Sequence, residues 1–276
     1  MSNPVKLFVV EGLDRDYRFV NEMTACFFGE GRFCAKIINL PASQNIYMLY
    51  QLLKSDDFET DLVELLRDTV SSAKDILEGI SRQDIDEVYL FFDYDIHQNN
   101  LSQDVEKTPD EVIQTLLAEF NNETENGKLY ISYPMVEALY DYKSLMCESF
   151  SGCYIPANQL VDYKRLAGNG NLKSSLRFGI EEWREVLAIF VLRIKCLFDL
   201  PDISYEDYRK EVTPASIHVR EMNIRKQRDF VFVLSGFPEF ILDYFKIDFW
   251  NSFIKLKRFN YEKCFKQRMN DNHTIC

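Results

Sequence analysis

Acidic residues follow three of the apolar runs in this 276-residue chain, each close to the point where the run ends. They are Glu11 after the first run, Asp93 and Asp95 after a later one, and Glu137 beyond the last. Glu11, Asp93 and Asp95 would repel one another strongly if they met, so either one of them is protonated or a divalent cation lies among them. Carboxylate oxygens without His or Cys suit Mg²⁺ or Mn²⁺, and such ions commonly act on phosphate esters. The pattern therefore predicts a divalent-metal site for phosphoryl-transfer or phosphodiester chemistry.

The elements that would position these acids alternate along the first half of the chain. Four apolar runs without polar alternation are typical of strands buried on both faces, at 5–10, 33–40, 88–92 and 128–132. Stretches with helical spacing or helix-start residues lie between and after them, at 14–28, 45–54, 60–79, 108–121 and 134–142. This order predicts an α/β fold with a mostly parallel sheet flanked by helices. The carboxyl ends of parallel strands form the functional edge of such a sheet, so the acids are expected to meet there.

Each acid also has a purely structural interpretation. Loops are polar and helix N-termini favour negative charge, so acids after strands are common. Asp14 and Asp16 are interpreted as acids of a helix start, with Asp14 as the N-cap, and a metal role is the alternative interpretation. Glu137 is either a second metal ligand or part of an ordinary helix surface. His97 is interpreted as a solvated loop residue rather than a base.

The second half of the chain is predicted to be mainly helical. Residues 180–198 form a strong amphipathic pattern, and residues 205–228 are predicted to be mostly helix. The apolar run at 230–234 fits either a strand or the start of a longer apolar stretch. The predicted domains are residues 1–145, which carry the metal site, and residues 146–276.

The formal net charge of −12 hides a difference between the two halves. Residues 1–150 contain 12 basic and 28 acidic residues, whereas residues 151–276 contain 20 basic and 16 acidic ones. An acidic chain is not expected to coat nucleic acid by itself, but the basic half could contact phosphates. The candidate nucleic-acid-binding residues are Arg225, Lys226 and Arg228, followed by six further basic residues between 255 and 268. Solvated helix faces are the alternative interpretation of these residues.

The cysteines and the apolar segments indicate the cellular compartment in which the protein is expected. Seven scattered cysteines without a C-x-x-C pair argue against a disulfide framework and a zinc site. No signal peptide is recognisable, and no run reaches the roughly 18 apolar residues that would span a membrane. The expected location is the cytoplasm, without membrane association.

Two of these motifs resemble the Toprim domain, the metal-binding α/β module of topoisomerases, primases and OLD nucleases. They are VVEG at 9–12, after the first strand, and FFDYD at 91–95, at the end of the third. The resemblance covers residues 5–145 and implies that Glu11 is the acid/base or metal-linked glutamate. It also implies that Asp93 and Asp95 hold Mg²⁺. The run YPMVEAL at 133–139 is similar to the acidic helix start of small stand-alone Toprim proteins, which implies a metal role for Glu137.

The sequence also departs from the family pattern. Many Toprim sequences carry an aspartate four residues after the glutamate, where this chain has Arg15. No tyrosine-nucleophile domain or primase zinc module is recognisable in the sequence. These departures favour a nuclease-type or regulatory member over a topoisomerase or primase.

The expected function is Mg²⁺- or Mn²⁺-dependent phosphodiester hydrolysis on DNA or RNA such as tRNA, with Glu11, Asp93 and Asp95 as catalytic residues. The resemblance further implies a role in bacterial anti-phage defence, with control by a partner such as an ATPase and a possible homo-oligomer. Two alternatives stay open. One is a haloacid-dehalogenase-like phosphatase that uses Asp93 and Asp95, and the other is a non-catalytic regulatory or docking module of a defence complex.

Overall fold

The chain divides into two compact units, Met1–Ile131 and Ser132–Cys276. The computed structural model describes residues 3–12, 14–29, 31, 33–41, 44–98, 100–141, 153–168, 177–200 and 203–251. The predicted boundary between residues 145 and 146 lies outside the described residues.

The first unit is an α/β fold built on a five-stranded sheet. Its strands are β1 (Val5–Val10), β2 (Cys34–Asn39), β3 (Ile85–Asp93), β4 (Asn121–Asn122) and β5 (Gly127–Ser132). Its helices are α1 (Arg15–Phe27), α2 (Ile46–Lys54), α3 (Leu62–Thr69), α4 (Ser71–Ile76) and α5 (Pro109–Glu119). The strand order is β2-β1-β3-β5-β4, and the predicted fold class, a mostly parallel sheet flanked by helices, is confirmed at this level.

Strand β1 pairs in parallel with both of its neighbours in the sheet. All six residues of β1 are buried, as expected for a strand covered on both faces. The strand pairs in parallel with β2 on one side and with β3 on the other, where Val10 lies opposite Phe91. Both β1 and β3 therefore end at the same edge of the sheet.

The predicted helix over 60–79 is wrong, because two helices occupy this stretch. The backbone of Val70 is extended, with φ −111° and ψ 110°, so α3 ends before it and α4 begins after it. The start of α5 follows its sequence signals more closely. Thr108 and Glu111 form a reciprocal capping box, and Pro109 is the first helical residue.

The second unit is mainly helical, as predicted. It contains β6 (Tyr154–Pro156), α6 (Tyr163–Ala167), α7 (Ile180–Phe198), α8 (Tyr205–Glu211), α9 (Pro214–Arg228), β7 (Phe230–Phe232) and α10 (Gly236–Phe249). The run at 230–234 therefore starts as a strand, and β7 pairs in antiparallel with β6. No helix in the described parts of the chain is long and apolar enough to cross a membrane.

The predicted helix over 134–142 is also wrong. The Tyr133 backbone exchanges two hydrogen bonds with Leu234, at 2.6 and 2.9 Å, so the chain stays extended beyond β5. Met135 is likewise extended, and only a short 3-10 helix, Val136–Leu139, follows. A long-range strand contact thus overrides the local helix signal, and Tyr142 lies outside the described residues.

Candidate metal-binding strand edge

Glu11 and Asp93 meet at the shared carboxyl edge of β1 and β3. Glu11 is the first residue beyond β1, and Asp93 is the last residue of β3. The Asp93 backbone N–H donates a hydrogen bond to Glu11 Oε2 at 3.2 Å. Both residues are half-buried. The parallel register of the two strands is what brings these sequence-distant acids into contact.

Gly12 allows the acidic start of α1 to approach this edge. A Cβ atom at position 12 would overlap the Asp16 carboxylate, with Asp16 Cγ only 3.3 Å away. Asp16 is buried in the first turn of α1. Asp14 occupies the N-cap position as predicted, but its side chain makes no capping hydrogen bond to the described backbone. Asp16 therefore shapes the turn after Glu11, a role that helix-start chemistry alone did not indicate.

Asp95 lies next to His97 in the loop after β3. The Asp95 backbone has φ +35°, a left-handed conformation that aspartate tolerates better than most side chains. His97 Nδ1 lies 3.4 Å from Asp95 Oδ1, and each side chain is only 15% exposed. The interpretation of His97 as a solvated loop residue is therefore wrong, because the imidazole is largely enclosed beside an acid of the candidate site.

Tyr94, between the two aspartates, is buried and hydrogen-bonded on two sides. Its hydroxyl donates to Asp110 Oδ1 at 2.6 Å, and its carbonyl oxygen accepts a hydrogen bond from the Tyr47 hydroxyl at 2.7 Å. Sequence reasoning did not find these contacts. One signal was available, since in an extended segment the residue between two acids faces the side opposite to both, although Asp95 lies beyond the end of β3.

Glu137 belongs to the second unit and is fully buried there in the 3-10 helix Val136–Leu139. The alternative of an ordinary helix surface is therefore wrong. A role of Glu137 as a metal ligand stays a prediction.

The candidate nucleic-acid-binding residues lie in the last turn of α9. Lys226 and Arg228 are exposed, and Arg225 is half-buried. Cations at this position also interact favourably with the carboxyl end of the helix. The six basic residues between 255 and 268 lie outside the described residues.

The chemistry of the acids at the strand edge fits a hard divalent cation. Among the described residues, no three His, Cys, Asp or Glu side chains form a group that could hold a metal ion. Mg²⁺ does not need such a cage, because it keeps several waters and is commonly bound by one or two carboxylates together with substrate phosphates. Glu11 and Asp93 supply oxygen donors of this kind on adjacent strand ends, and Asp95 follows two residues later.

Comparisons of the chain with models of protein families, with curated proteins and with solved structures find no match. The Toprim assignment therefore stays a prediction.

Proposed function

We propose that this protein is a Mg²⁺-dependent nuclease that hydrolyses phosphodiester bonds in DNA or RNA. The hydrogen bond from the Asp93 N–H to Glu11 Oε2 carries the proposal. It joins an acid that follows β1 to an acid that ends β3, at the edge where open parallel sheets bind their ligands. A bound cation would offset the repulsion between the Glu11 and Asp93 carboxylates at this edge.

The side chains have distinct roles in this proposal. Asp93 and Asp95 would hold Mg²⁺, which when bound would acidify a water and stabilise charge on the phosphate. Glu11 would accept the proton of the attacking water or share the cation. The N–H of Asp93 fixes the Glu11 carboxylate in orientation, so that acceptance of a proton needs no rearrangement of this side chain.

A cleavage assay tests the proposal directly. The full chain is incubated with DNA and with tRNA, with Mg²⁺ or Mn²⁺, beside the Glu11→Gln and Asp93→Asn variants. Asp86→Asn is the matched control, because Asp86 is an exposed acid at the opposite end of β3. Metal-dependent cleavage is expected for wild type and Asp86→Asn, with losses of about 100-fold or more for the two site variants.

The same assay separates the alternatives. A phosphatase would hydrolyse p-nitrophenyl phosphate and would tolerate Glu11→Gln, because Glu11 has no role in that chemistry. A docking module would cut neither nucleic acid, alone or with the products of neighbouring genes. Either result would contradict the nuclease proposal. An assay with neighbouring gene products also tests control by a partner protein, which stays a prediction together with the role in anti-phage defence.

A further inference from the structure

The segment that carries Asp93 and Asp95 is anchored from inside the first unit. Tyr94 lies between the two acids and is 1% exposed. Its hydroxyl hydrogen-bonds Asp110, a buried residue in the first turn of α5. The contact joins Tyr94, the first residue beyond β3, to a helix that begins 15 residues later along the chain. Because both partners are buried, the bond is shielded from competition with water.

Side chains of helix α2 also form hydrogen bonds to this segment. The buried Tyr47 hydroxyl donates to the Tyr94 carbonyl oxygen. One turn later on the helix, Gln51 donates to the Asn100 carbonyl oxygen at 3.1 Å and accepts from the Ser102 N–H at 3.0 Å. The two side chains of α2 thus hold the beginning and the end of the loop that contains Asp95 and His97.

The backbone at Asp95 shows why this anchoring matters. A non-glycine residue with φ +35° is in a sparsely populated conformation that persists only when its surroundings hold it. Tyr94 is the preceding residue, and its two hydrogen bonds fix its side chain and its carbonyl group. The peptide that joins Tyr94 to Asp95 is therefore held at one end by α2 and α5.

We propose that Tyr47, Tyr94 and Asp110 are positioning residues that set the Asp93 and Asp95 carboxylates for a divalent cation. This inference rests on the proposed function. None of the three residues needs to touch the ion. Each acts on the backbone between the two ligands, and residues that orient metal ligands commonly change metal affinity by 10- to 100-fold when they are replaced.

The test measures binding of Mn²⁺ alone to the full chain by calorimetry, with the electron paramagnetic resonance spectrum of bound Mn²⁺ as a second readout. Tyr47→Phe and Tyr94→Phe each remove one hydroxyl and keep the ring. Asp110→Asn keeps an oxygen that can accept from Tyr94 and serves as the conservative variant. Tyr89→Phe is the matched control, because Tyr89 is a buried tyrosine on β3, the strand that ends at Asp93, and its hydroxyl bonds Glu87 instead.

In the expected result, Tyr47→Phe and Tyr94→Phe each raise the Mn²⁺ dissociation constant by about 10-fold and alter the spectrum. Asp110→Asn and Tyr89→Phe stay within about twofold of wild type. A purely structural role would lower the melting temperature without a change in the affinity or spectrum of the folded protein. The inference is overturned if both tyrosine variants bind Mn²⁺ like wild type, or if Tyr89→Phe loses as much affinity as they do.

The proposed function fails in a different way. If wild type binds no Mn²⁺, or if Glu11→Gln and Asp93→Asn bind it like wild type, the metal site itself is wrong and the positioning inference fails with it. If wild type binds Mn²⁺ and these site variants do not, the tyrosine variants alone decide the inference.

Discussion

Glu221 is a carboxylic acid buried inside the second unit, where it is only 1% exposed. Its Oε2 accepts a hydrogen bond from the Phe232 N–H at 3.0 Å, whereas Oε1 has no hydrogen-bond partner among the described residues. Burial raises the pKa of Glu221 well above its usual range, and the Phe232 bond opposes this only in part. One turn earlier on α9, His218 is also buried and shares a hydrogen bond with the Tyr133 hydroxyl.

The raised pKa of Glu221 predicts that its contribution to stability decreases as the pH rises. Below about pH 4.3, the ordinary pKa of a glutamic acid, the group is protonated in both the folded and the unfolded chain. Between this value and the raised pKa, the unfolded chain has released the proton whereas the folded chain still holds it. In this pH range the group lowers the free energy of unfolding by roughly 1 kcal/mol per pH unit. Glu221→Gln keeps an acceptor for the Phe232 N–H and cannot ionise.

Urea denaturation between pH 5 and 8 checks this prediction. The free energy of unfolding should fall less steeply with pH in Glu221→Gln than in wild type, and the variant should be the more stable protein at the upper end. Glu211→Gln, at an exposed position on α8, is the control and should follow the wild-type curve. Parallel curves for wild type and Glu221→Gln would show that Glu221 is already ionised in the folded protein.

Gly12 is predicted to be intolerant of any side chain. In Gly12→Ala the new methyl group would overlap the buried Asp16 carboxylate, so either this side chain or the turn after Glu11 must shift. We expect a loss of about 1–3 kcal/mol in the free energy of unfolding, as for other overpacked sites. The same displacement should weaken Mn²⁺ binding if Glu11 is part of the metal site.

Gly168→Ala is the control for this substitution. Gly168 has φ −61°, and a Cβ there would lie 3.5 Å from the nearest neighbour, the Arg165 carbonyl oxygen. That is an ordinary contact, so stability should hardly change. Equal stability losses in Gly12→Ala and Gly168→Ala would contradict the close approach of Asp16.

Helix α5 connects a capping motif to the candidate site. The Thr108 hydroxyl accepts from the Glu111 N–H, and the Glu111 carboxylate accepts from the Thr108 N–H at 2.8 Å. This box orders the first turn, which contains Asp110 and so holds Tyr94. The start of α5 therefore supports both the helix and the segment between the two acids.

Thr108→Ala is predicted to lower the free energy of unfolding by about 1 kcal/mol, because an N-cap acceptor is lost. Thr115→Ala, within the same helix, removes a hydroxyl that accepts from Lys107 Nζ and donates to the Glu111 carbonyl oxygen, both in exposed hydrogen bonds. Its cost should be the smaller one, because the higher helix propensity of alanine offsets the loss of these bonds. Urea denaturation of the two variants measures both values. The capping role is contradicted if Thr115→Ala destabilises the protein as much as Thr108→Ala does.

Some features of the fold could be predicted from sequence patterns, and others could not. The 3.6-residue period over 180–198 predicted α7 with the bounds that it has, and strand-end placement predicted that Glu11 and Asp93 share an edge. Local patterns failed where contacts with residues distant in the sequence determine the backbone conformation. Tyr133 is held extended by Leu234, and Tyr94 is anchored by Tyr47, which lies 47 residues before it. Periodicity and capping signals contain no information about such pairs.

The negative charge of the chain is concentrated in the unit that carries the candidate site. Residues 1–131 contain 11 basic and 25 acidic residues, whereas residues 132–276 contain 21 basic and 19 acidic ones. Bound Mg²⁺ would offset part of the acidic charge at the strand edge. Long-range attraction of nucleic acid by the chain is weak at best, so binding must depend on local contacts with phosphates.

The exposed basic residues at the end of α9 are predicted to supply such contacts. Replacing both Lys226 and Arg228 with Gln should weaken binding of an oligonucleotide and reduce the salt dependence of log Kd by roughly 1–2, because each phosphate contact releases about one counterion. Fluorescence anisotropy in the Asp93→Asn background measures binding without cleavage.

Lys164 and Arg165 provide the matched comparison, because they are an exposed basic pair on another helix of the same unit. Replacing both with Gln removes the same formal charge from the chain, so a purely long-range effect would weaken binding equally in the two double variants. A local contact would instead appear as a change in salt dependence that is confined to the α9 variant. Equal slopes in the two variants would assign Lys226 and Arg228 to a solvated helix end, and the phosphate contacts would then have to lie elsewhere in the chain.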